Sequence, residues 1–191
     1  MSKYVFLDTE TTGTDPVKNG IIQLSGIIVI PDKQIEEPFD LKMQPFPADE
    51  IDDRALAVTG TTREELANRP LGFDGYRGFI RLLGRHISKF DRSDKAYMIG
   101  YNVGFDDSML RQWFLKAGDK YFGSWFWWPP IDAAMIAALK LRDKRNELPD
   151  FKQGTVAKAL GIEVDDARLH DAVYDIGICR QIYNVCTGES L

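Results

Sequence analysis

The feature that most constrains this chain is a short apolar run near its start that leads directly into two acids. Residues 5–7 are strand formers and predict a buried β-strand, and Asp8 and Glu10 follow. Side chains two positions apart on a strand point to the same face. Two carboxylates on one face repel each other and resist burial, unless a divalent cation lies between them. An isolated Asp-x-Glu pair is more often the solvated end of a strand, so further residues must decide.

Length and composition predict one domain over residues 1–191. The 191 residues are 44% hydrophobic, which is sufficient for a sizeable core. The formal net charge of −5 excludes an overall basic surface for nucleic acid, so a polyanion would have to be held locally or through metal ions. Cys179 and Cys186 lack zinc-ligand spacing and are interpreted as small apolar residues of a cytoplasmic protein. No apolar run is long enough for a bilayer, and the start does not resemble a signal peptide.

The pattern of apolar residues predicts an α/β protein without an internal linker. Strands are predicted over residues 21–30, 39–43 and 96–100 in addition to the first. The short connections between the first three strands favour an antiparallel meander. Helices are predicted over residues 49–57, 63–67, 73–89, 132–141, 155–160 and 170–186, and one passes through Met109 to Phe114.

Three stretches carry charge or aromatic residues whose use the sequence leaves open. Arg77, Arg81, Arg85 and Lys89 recur every four residues; a solvated helix face is favoured over a phosphate-binding track. A second basic set, Lys140, Arg142, Lys144 and Arg145, is predicted to be a loop. Residues 121–128 are strongly aromatic and could be core, a base-stacking platform or a partner contact. We favour core or a subunit contact, which would allow a homodimer.

Two further clusters change the interpretation of the first. Asn102 to Asp106 follows the fourth strand and places a carboxylate at the start of a helix. His170 and Asp175 lie near the other end of the chain. On an ideal helix these two side chains would point about 140° apart, so they cannot act as adjacent ligands. Each acid alone would be an ordinary solvated residue, but together they form three motifs in a fixed order.

With these motifs, Asp8-Thr9-Glu10-Thr11-Thr12-Gly13, Asn102 to Asp106 and His170 to Asp175, the chain resembles the DnaQ-like, or DEDDh, 3′–5′ exonucleases. The resemblance implies an α/β, ribonuclease H-like fold: a mixed central sheet of three antiparallel strands followed by parallel strands, flanked by helices. It implies Asp8, Glu10, Asp106 and Asp175 as catalytic acids that bind two Mg²⁺ or Mn²⁺ ions. It implies His170 as the general base.

The resemblance also implies a set of substrate-binding residues: Thr9, Thr11, Thr12, Gly13, Thr59, Asn102 and Phe105. Three of the chain's residues depart from the family pattern. Thr14 stands where an apolar residue often follows the glycine, Thr59 stands where histidine is frequent, and Thr11 is not the methionine usual in oligoribonucleases. These departures affect the contacts to the terminal nucleotide and leave the metal chemistry unchanged.

The chain is therefore predicted to be a metal-dependent 3′–5′ exonuclease that binds the 3′ end of nucleic acid. Single-stranded DNA is the favoured substrate, hydrolysed to nucleoside 5′-monophosphates by two metal ions. The first alternative is an exoribonuclease that trims short RNA ends. A catalytically silent end-binding module is disfavoured because all five chemical residues are present.

Overall fold

The computed structural model describes residues 2–168 and 172–191, so the predicted general base His170 lies outside the described residues. Within that part of the chain, five strands form one sheet in the order β3-β2-β1-β4-β5. The strands are β1 (Tyr4–Thr11), β2 (Ile21–Ile30), β3 (Ile35–Lys42), β4 (Tyr97–Gly100) and β5 (Ile131–Asp132). β1, β2 and β3 are antiparallel neighbours, whereas β4 pairs parallel with both β1 and β5. The predicted fold class is confirmed.

Helices cover both faces of this sheet. They are α1 (Asp53–Thr59), α2 (Arg63–Ala67), α3 (Gly72–Gly84), α4 (Gly104–Lys116), α5 (Ala133–Lys140), α6 (Gln153–Ala159) and α7 (Ala172–Thr187). Val5 and Leu7 of β1 belong to the core that contains α3 and α4 residues, and Phe6 belongs to the core formed with α5, α6 and α7. Because β1 is central and buried on both faces, its sequence is a continuous apolar run.

The sequence placed two helix boundaries incorrectly. The helix predicted over residues 73–89 ends at Gly84, after which Arg85 pairs with Glu37. Lys89 lies beyond the helix, where its Nζ is 3.0 Å from Asp119 Oδ2. The helix predicted over 49–57 begins only at Asp53, because Asp49 is used as a partner for Lys116 rather than as a helix residue.

Three other predictions need correction. The third strand begins at Ile35 rather than at residue 39, and Ile131–Asp132 forms a short parallel strand before α5 rather than the opening of the helix. The basic set at residues 140–145 lies at the end of α5 and in a 3-10 turn, Arg142–Glu147, rather than in an open loop.

The aromatic stretch at residues 121–128 is divided between core and surface. Phe122, Trp125 and Phe126 are buried in the core that includes α4, as predicted. Tyr121 and Trp128 are exposed. No helix in residues 2–168 or 172–191 has both the length and the apolar character needed to span a membrane.

Candidate active site

The first two acids project from the carboxyl-terminal half of β1. Asp8 and Glu10 are half-buried, whereas Thr9 between them is buried, as alternation along a strand requires. β4 pairs with β1 only as far as Phe6, so the edge of β1 that carries the acids continues beyond its parallel neighbour. This edge is therefore open to groups from the turn that follows β4.

Asp106 reaches that edge from the first turn of α4. Its side chain is buried, and Oδ1 accepts hydrogen bonds from Thr9 N at 3.0 Å and Thr9 Oγ1 at 2.7 Å. The carboxylate thus replaces the missing strand as partner of the Thr9 N–H, which satisfies a buried backbone donor. The second motif is in this way joined directly to the middle residue of the first.

The turn that delivers Asp106 is held by Asp132, a residue that the sequence analysis did not identify as functional. Asn102 has φ 60°, a left-handed conformation that Asn tolerates better than most residues, and its N–H donates to Asp132 Oδ1 at 3.0 Å. The same Asp132 oxygen accepts from Ala134 N at 2.9 Å and caps α5. The sequence can indicate that Asp132 caps the following helix, because an acid just before a helix is a common cap. The sequence cannot indicate that Asp132 also binds the backbone of Asn102.

Asp175 comes from the first turn of α7 on the other face of the sheet. Gln153 of α6 donates its side-chain amide to the Asp175 carbonyl, and Ile176 and Cys179 pack into the core beneath. Burial and then the negative charges of Asp8, Asp106, Asp132 and Asp175 raise the pKa of the Cys179 thiol. The thiol therefore stays protonated and acts as a small apolar residue. Three of the four predicted metal-binding acids, Asp8, Asp106 and Asp175, act on it electrostatically.

The acids also perturb one another. Burial, followed by the charges of Asp8 and Asp175, raises the pKa of Glu10 to about 7. Burial and then the charge of Asp8 raise the pKa of Asp106, although the two hydrogen bonds from Thr9 oppose this. The charges of Asp8 and Asp175 thus act on Glu10, and the charge of Asp8 acts on Asp106, in an environment that disfavours the ionised forms of Glu10 and Asp106.

A divalent cation fits this donor set. Among residues 2–168 and 172–191, no group of three or more His, Cys, Asp or Glu side chains is already arranged to hold a metal ion. However, the groups concerned are carboxylates, the ligands that Mg²⁺ and Mn²⁺ prefer. Burial and then mutual repulsion raise the pKa values of Glu10 and Asp106, and a bound cation would compensate both effects.

The predicted substrate-binding threonines of β1 are engaged within the protein. Thr12 is fully buried, and its hydroxyl donates to Glu50 O at 2.6 Å and accepts from Gly20 N at 2.9 Å. The Thr11 hydroxyl donates to Gly13 O at 2.7 Å. The turn admits only glycine at position 13, because an added Cβ would lie 2.4 Å from Asn19 Oδ1. These residues shape the wall of the site.

The other substrate-binding candidates lie on two separate elements. Asn102 is exposed, and its carbonyl accepts from the Phe105 N–H at 3.1 Å, so both belong to the turn beside Asp106. The Phe105 ring is half-buried and packs in part against the core. Thr59 is the last residue of α1, where its hydroxyl donates to Leu56 O at 3.1 Å.

Comparison with known proteins bears on this arrangement. The family model RNase_T, described as "Exonuclease", matches residues 5–183. The chain belongs to this exonuclease family. Membership confirms the predicted enzyme class, a 3′–5′ exonuclease domain with a DnaQ-like motif set.

The relatives of this chain include much longer proteins. It is 28% identical over 180 residues to a PolC-type DNA polymerase III of Thermotoga petrophila and 27% identical over 183 residues to that of Mycoplasmopsis pulmonis. These alignments cover 94% and 95% of the chain but 11% of each polymerase. The chain thus corresponds to about one-ninth of the curated relatives it matches.

The solved structures that resemble the chain include exonuclease I. In complex with a dT13 oligonucleotide, the E. coli enzyme matches with a TM-score of 0.70 and 24% identity, over 94% of this chain and 39% of that one. Its zinc-bound complex with single-stranded DNA matches with a TM-score of 0.72 and 25% identity, over the same shares of the two chains. The resemblance confirms the fold.

Proposed function

We propose that this chain is a metal-dependent exonuclease domain that removes nucleoside 5′-monophosphates from the 3′ end of single-stranded DNA with two divalent cations. The observation that carries the proposal is the electrostatic coupling of Asp8, Glu10, Asp106 and Asp175 around one end of β1. Single-stranded DNA is favoured because the relatives include DNA polymerases and exonuclease I was solved with DNA oligonucleotides.

The residues of the chain have distinct roles in this reaction. Asp8, Glu10, Asp106 and Asp175 would hold the cations, which when bound neutralise phosphate charge and favour formation of the attacking hydroxide. Thr9 keeps the Asp106 carboxylate at the edge of β1 through two hydrogen bonds. His170 would accept the proton of the attacking water at a ring nitrogen, since histidine changes charge near neutral pH.

The phosphates upstream of the cleaved bond require local cations, because the chain has a net charge of −5. Arg77, Arg85 and Lys89 are engaged in ion pairs with Asp74, Glu37 and Asp119, which favours the solvated-face interpretation of that set. We therefore assign phosphate contacts to the second basic set, from Lys140 to Arg145, most of which is exposed to solvent.

One assay tests the proposal. End-labelled single-stranded DNA, duplex DNA and RNA are incubated with the chain in Mg²⁺, Mn²⁺ or EDTA. We expect mononucleotides from the 3′ end of single-stranded DNA, and none in EDTA. Preferential cleavage of RNA would replace the proposed substrate by the exoribonuclease alternative. Binding without cleavage in either metal would leave a silent end-binding module.

Asp8→Asn is the matched variant for this assay. It should abolish turnover while the protein remains folded, because a neutral amide relieves repulsion with Glu10 and Asp106 but cannot replace an anionic ligand. Its thermal stability in EDTA should equal or exceed that of the wild type, and calorimetric Mn²⁺ binding should be lost. Near-normal turnover of Asp8→Asn in saturating Mg²⁺ would refute the metal assignment.

A further inference from the structure

A second exposed surface lies beside the segment that leads into β4. We call it the basic–aromatic surface and define it by Lys89, Phe90, Arg92, Lys95, Lys120 and Tyr121. Phe90 and Tyr121 are 65% and 53% exposed, and their ring centroids lie 5.2 Å apart with the planes at 85°. Phe90 has φ 76°, a conformation that bulky side chains rarely adopt. Core packing therefore does not account for this ring, whose backbone is strained while its side chain faces water.

The two exposed rings are held in place by a partly buried ion pair. Lys89 Nζ lies 5.3 Å from each of the Phe90 and Tyr121 ring centroids and 5.4 Å from that of the buried Trp125. The same ammonium is 3.0 Å from Asp119 Oδ2. Cation–π contacts of this kind fix ring positions before any ligand arrives. The surface therefore presents preformed aromatic faces and edges.

The other cations of the surface are available to a ligand. Arg92 and Lys120 are exposed, and Lys95 Nζ lies 5.2 Å from the Trp127 ring centroid. Within the described residues, none of these three cations forms an ion pair.

The acids nearby are already engaged. Asp119 pairs with Lys89, Asp94 pairs with Lys3, and Asp91 accepts from the Ser93 amide and hydroxyl. Asp91 keeps its negative charge, because the Ser93 donors are neutral. Three cations and this one carboxylate therefore leave an excess of positive charge at the surface, although the net charge of the chain is −5.

A cavity of about 350 Å³ opens at this place, lined by Phe90, Asp91, Arg92, Lys95 and Ser124. Its volume is at the lower end of the range for small-ligand sites, roughly 300–1,000 Å³. An aromatic ring and two cations thus border one recess.

The length of α4 separates the basic–aromatic surface from Asp106. α4 carries Asp106 in its first turn, and Lys120 and Tyr121 follow shortly after its last residue. Thirteen helical residues span about 20 Å. A ligand that contacts both places must therefore be extended.

We propose that the basic–aromatic surface binds single-stranded nucleic acid, at nucleotides on the 5′ side of the end held by the acids. A base stacks on Phe90, and phosphates other than those assigned to Lys140 to Arg145 contact Arg92 and Lys95. Stacking on aromatic rings beside cations is how proteins bind single strands without sequence preference, because every base has a π-face. The inference rests on the proposed function, since that function supplies a strand whose end lies at Asp106.

The test measures binding by fluorescence anisotropy in Ca²⁺, with a labelled dT20 and a dT3 that is too short to span the separation. Phe90→Gly removes the ring and suits the left-handed backbone, so it should fold at least as well as wild type. It should weaken dT20 binding about 5- to 100-fold, the value of one stacked base, and leave dT3 binding unchanged. Arg92→Glu with Lys95→Glu should lower the slope of log affinity against log salt by about 1.4, at roughly 0.7 per phosphate.

Arg81→Glu with Lys33→Glu is the control, because it makes the same change of charge at two other exposed positions. This variant should weaken dT20 binding and dT3 binding by the same factor, to within about twofold, through a general electrostatic effect. An unchanged dT20 affinity in Phe90→Gly overturns the inference while wild-type cleavage preserves the proposed function. Absence of both binding and cleavage in the wild type overturns both. If dT20 binding is unchanged but sedimentation shows that the variants lose a dimer, the surface is a contact between two copies, and the inference is wrong.

Discussion

At the scale of single residues, Thr9 links the first two motifs. Its N–H and hydroxyl both donate to Asp106 Oδ1, so it fixes a carboxylate that is otherwise buried and repelled by Asp8. The family resemblance implies a substrate contact for Thr9, which stays a prediction, and its hydroxyl is used inside the protein. This makes Thr9 a positioning residue for a carboxylate that we propose as a metal ligand.

Thr9→Val keeps the volume and removes the hydroxyl. We expect Mn²⁺ affinity to fall by about 10- to 100-fold, the usual effect of losing an outer partner of a metal ligand. Calorimetric Mn²⁺ titration measures this without turnover. Thr9→Ser restores the donor and should recover most of the affinity. A Thr9→Val protein that binds Mn²⁺ as tightly as wild type would show that the hydrogen bond does not orient Asp106 for the cation.

Phe105 is a second residue whose role can be separated experimentally. Its ring is half-buried against the core and next to Asp106, so packing and base stacking are both compatible with its place. We expect Phe105→Ala to raise KM by about 5- to 100-fold, as for the loss of one stacked base, and to lower Tm by less than truncation of a fully buried ring would.

Phe105→Leu is the control for this experiment, because it keeps apolar contact with the core and loses the aromatic face. Its Tm should be close to that of wild type while its KM remains raised. A large loss of stability with an unchanged KM in Phe105→Ala would assign the ring to the core alone.

At the scale of elements, α4 fixes the first motif from both of its ends. Its first turn supplies Asp106 to Thr9. Its last residue, Lys116, donates to Asn19 O and pairs with the buried carboxylate of Asp49. Asn19 in turn donates to the Thr12 and Glu50 carbonyls, which border the turn at Gly13. The helix therefore sets the distance between the acids of β1 and the wall of the site.

Removing one partner of the Lys116–Asp49 pair tests this arrangement. Lys116→Met leaves the Asp49 side chain, which is 2% exposed, without its cation. We expect the free energy of unfolding to fall by about 3–5 kcal/mol. Adding Asp49→Asn should recover part of that loss, because the buried charge is gone. Urea denaturation of the two single variants and the double variant gives the coupling; additive effects would contradict a direct interaction.

The elements also show what sequence can and cannot predict. The bounds of β2 follow from a mainly apolar run that begins and ends with isoleucine, and the four acids follow from motif spacing. The end of α3 cannot be predicted in this way, because Lys89 pairs with Asp119, which lies 30 positions further along the chain. Asp132, Lys116 and Gln153 were missed as site residues for the same reason: their partners lie 22 to 97 positions away, and no local pattern records such pairs.

At the scale of the whole molecule, the start of the chain is tied to the segment before β4. Lys3 is buried, its ammonium pairs with Asp94, and it also donates to the His86 carbonyl. Asp94 Oδ2 accepts from Ser88 N at 2.9 Å, so one carboxylate holds β1, the end of the α3 connection and the entry to β4 together. These contacts lie at the amino-terminal end of β1, whereas Asp8 and Glu10 lie in its carboxyl-terminal half, so their loss should affect folding rather than cleavage.

The pH dependence of stability follows from this carboxylate. The hydrogen bond from Lys3 is the main cause that holds the pKa of Asp94 below its usual range. A group with a lowered pKa in the folded state contributes stability that is fully present above its unfolded pKa, about 3.9, and that is lost as pH falls through the folded pKa. Asp94→Asn should therefore lower the free energy of unfolding at pH 7 by about 1–3 kcal/mol, the value of a hydrogen bond to a charged group.

The difference between wild type and Asp94→Asn should narrow as the pH is lowered below about 4, because the unfolded chain then binds a proton at Asp94 that the folded protein binds only at a lower pH. Urea denaturation of both proteins between pH 3 and pH 7 measures this difference. Cleavage of single-stranded DNA at pH 7 by the folded Asp94→Asn protein should equal that of wild type. A stability difference that stays constant across this pH range would show that packing, rather than the ion pair with Lys3, accounts for the contribution of Asp94.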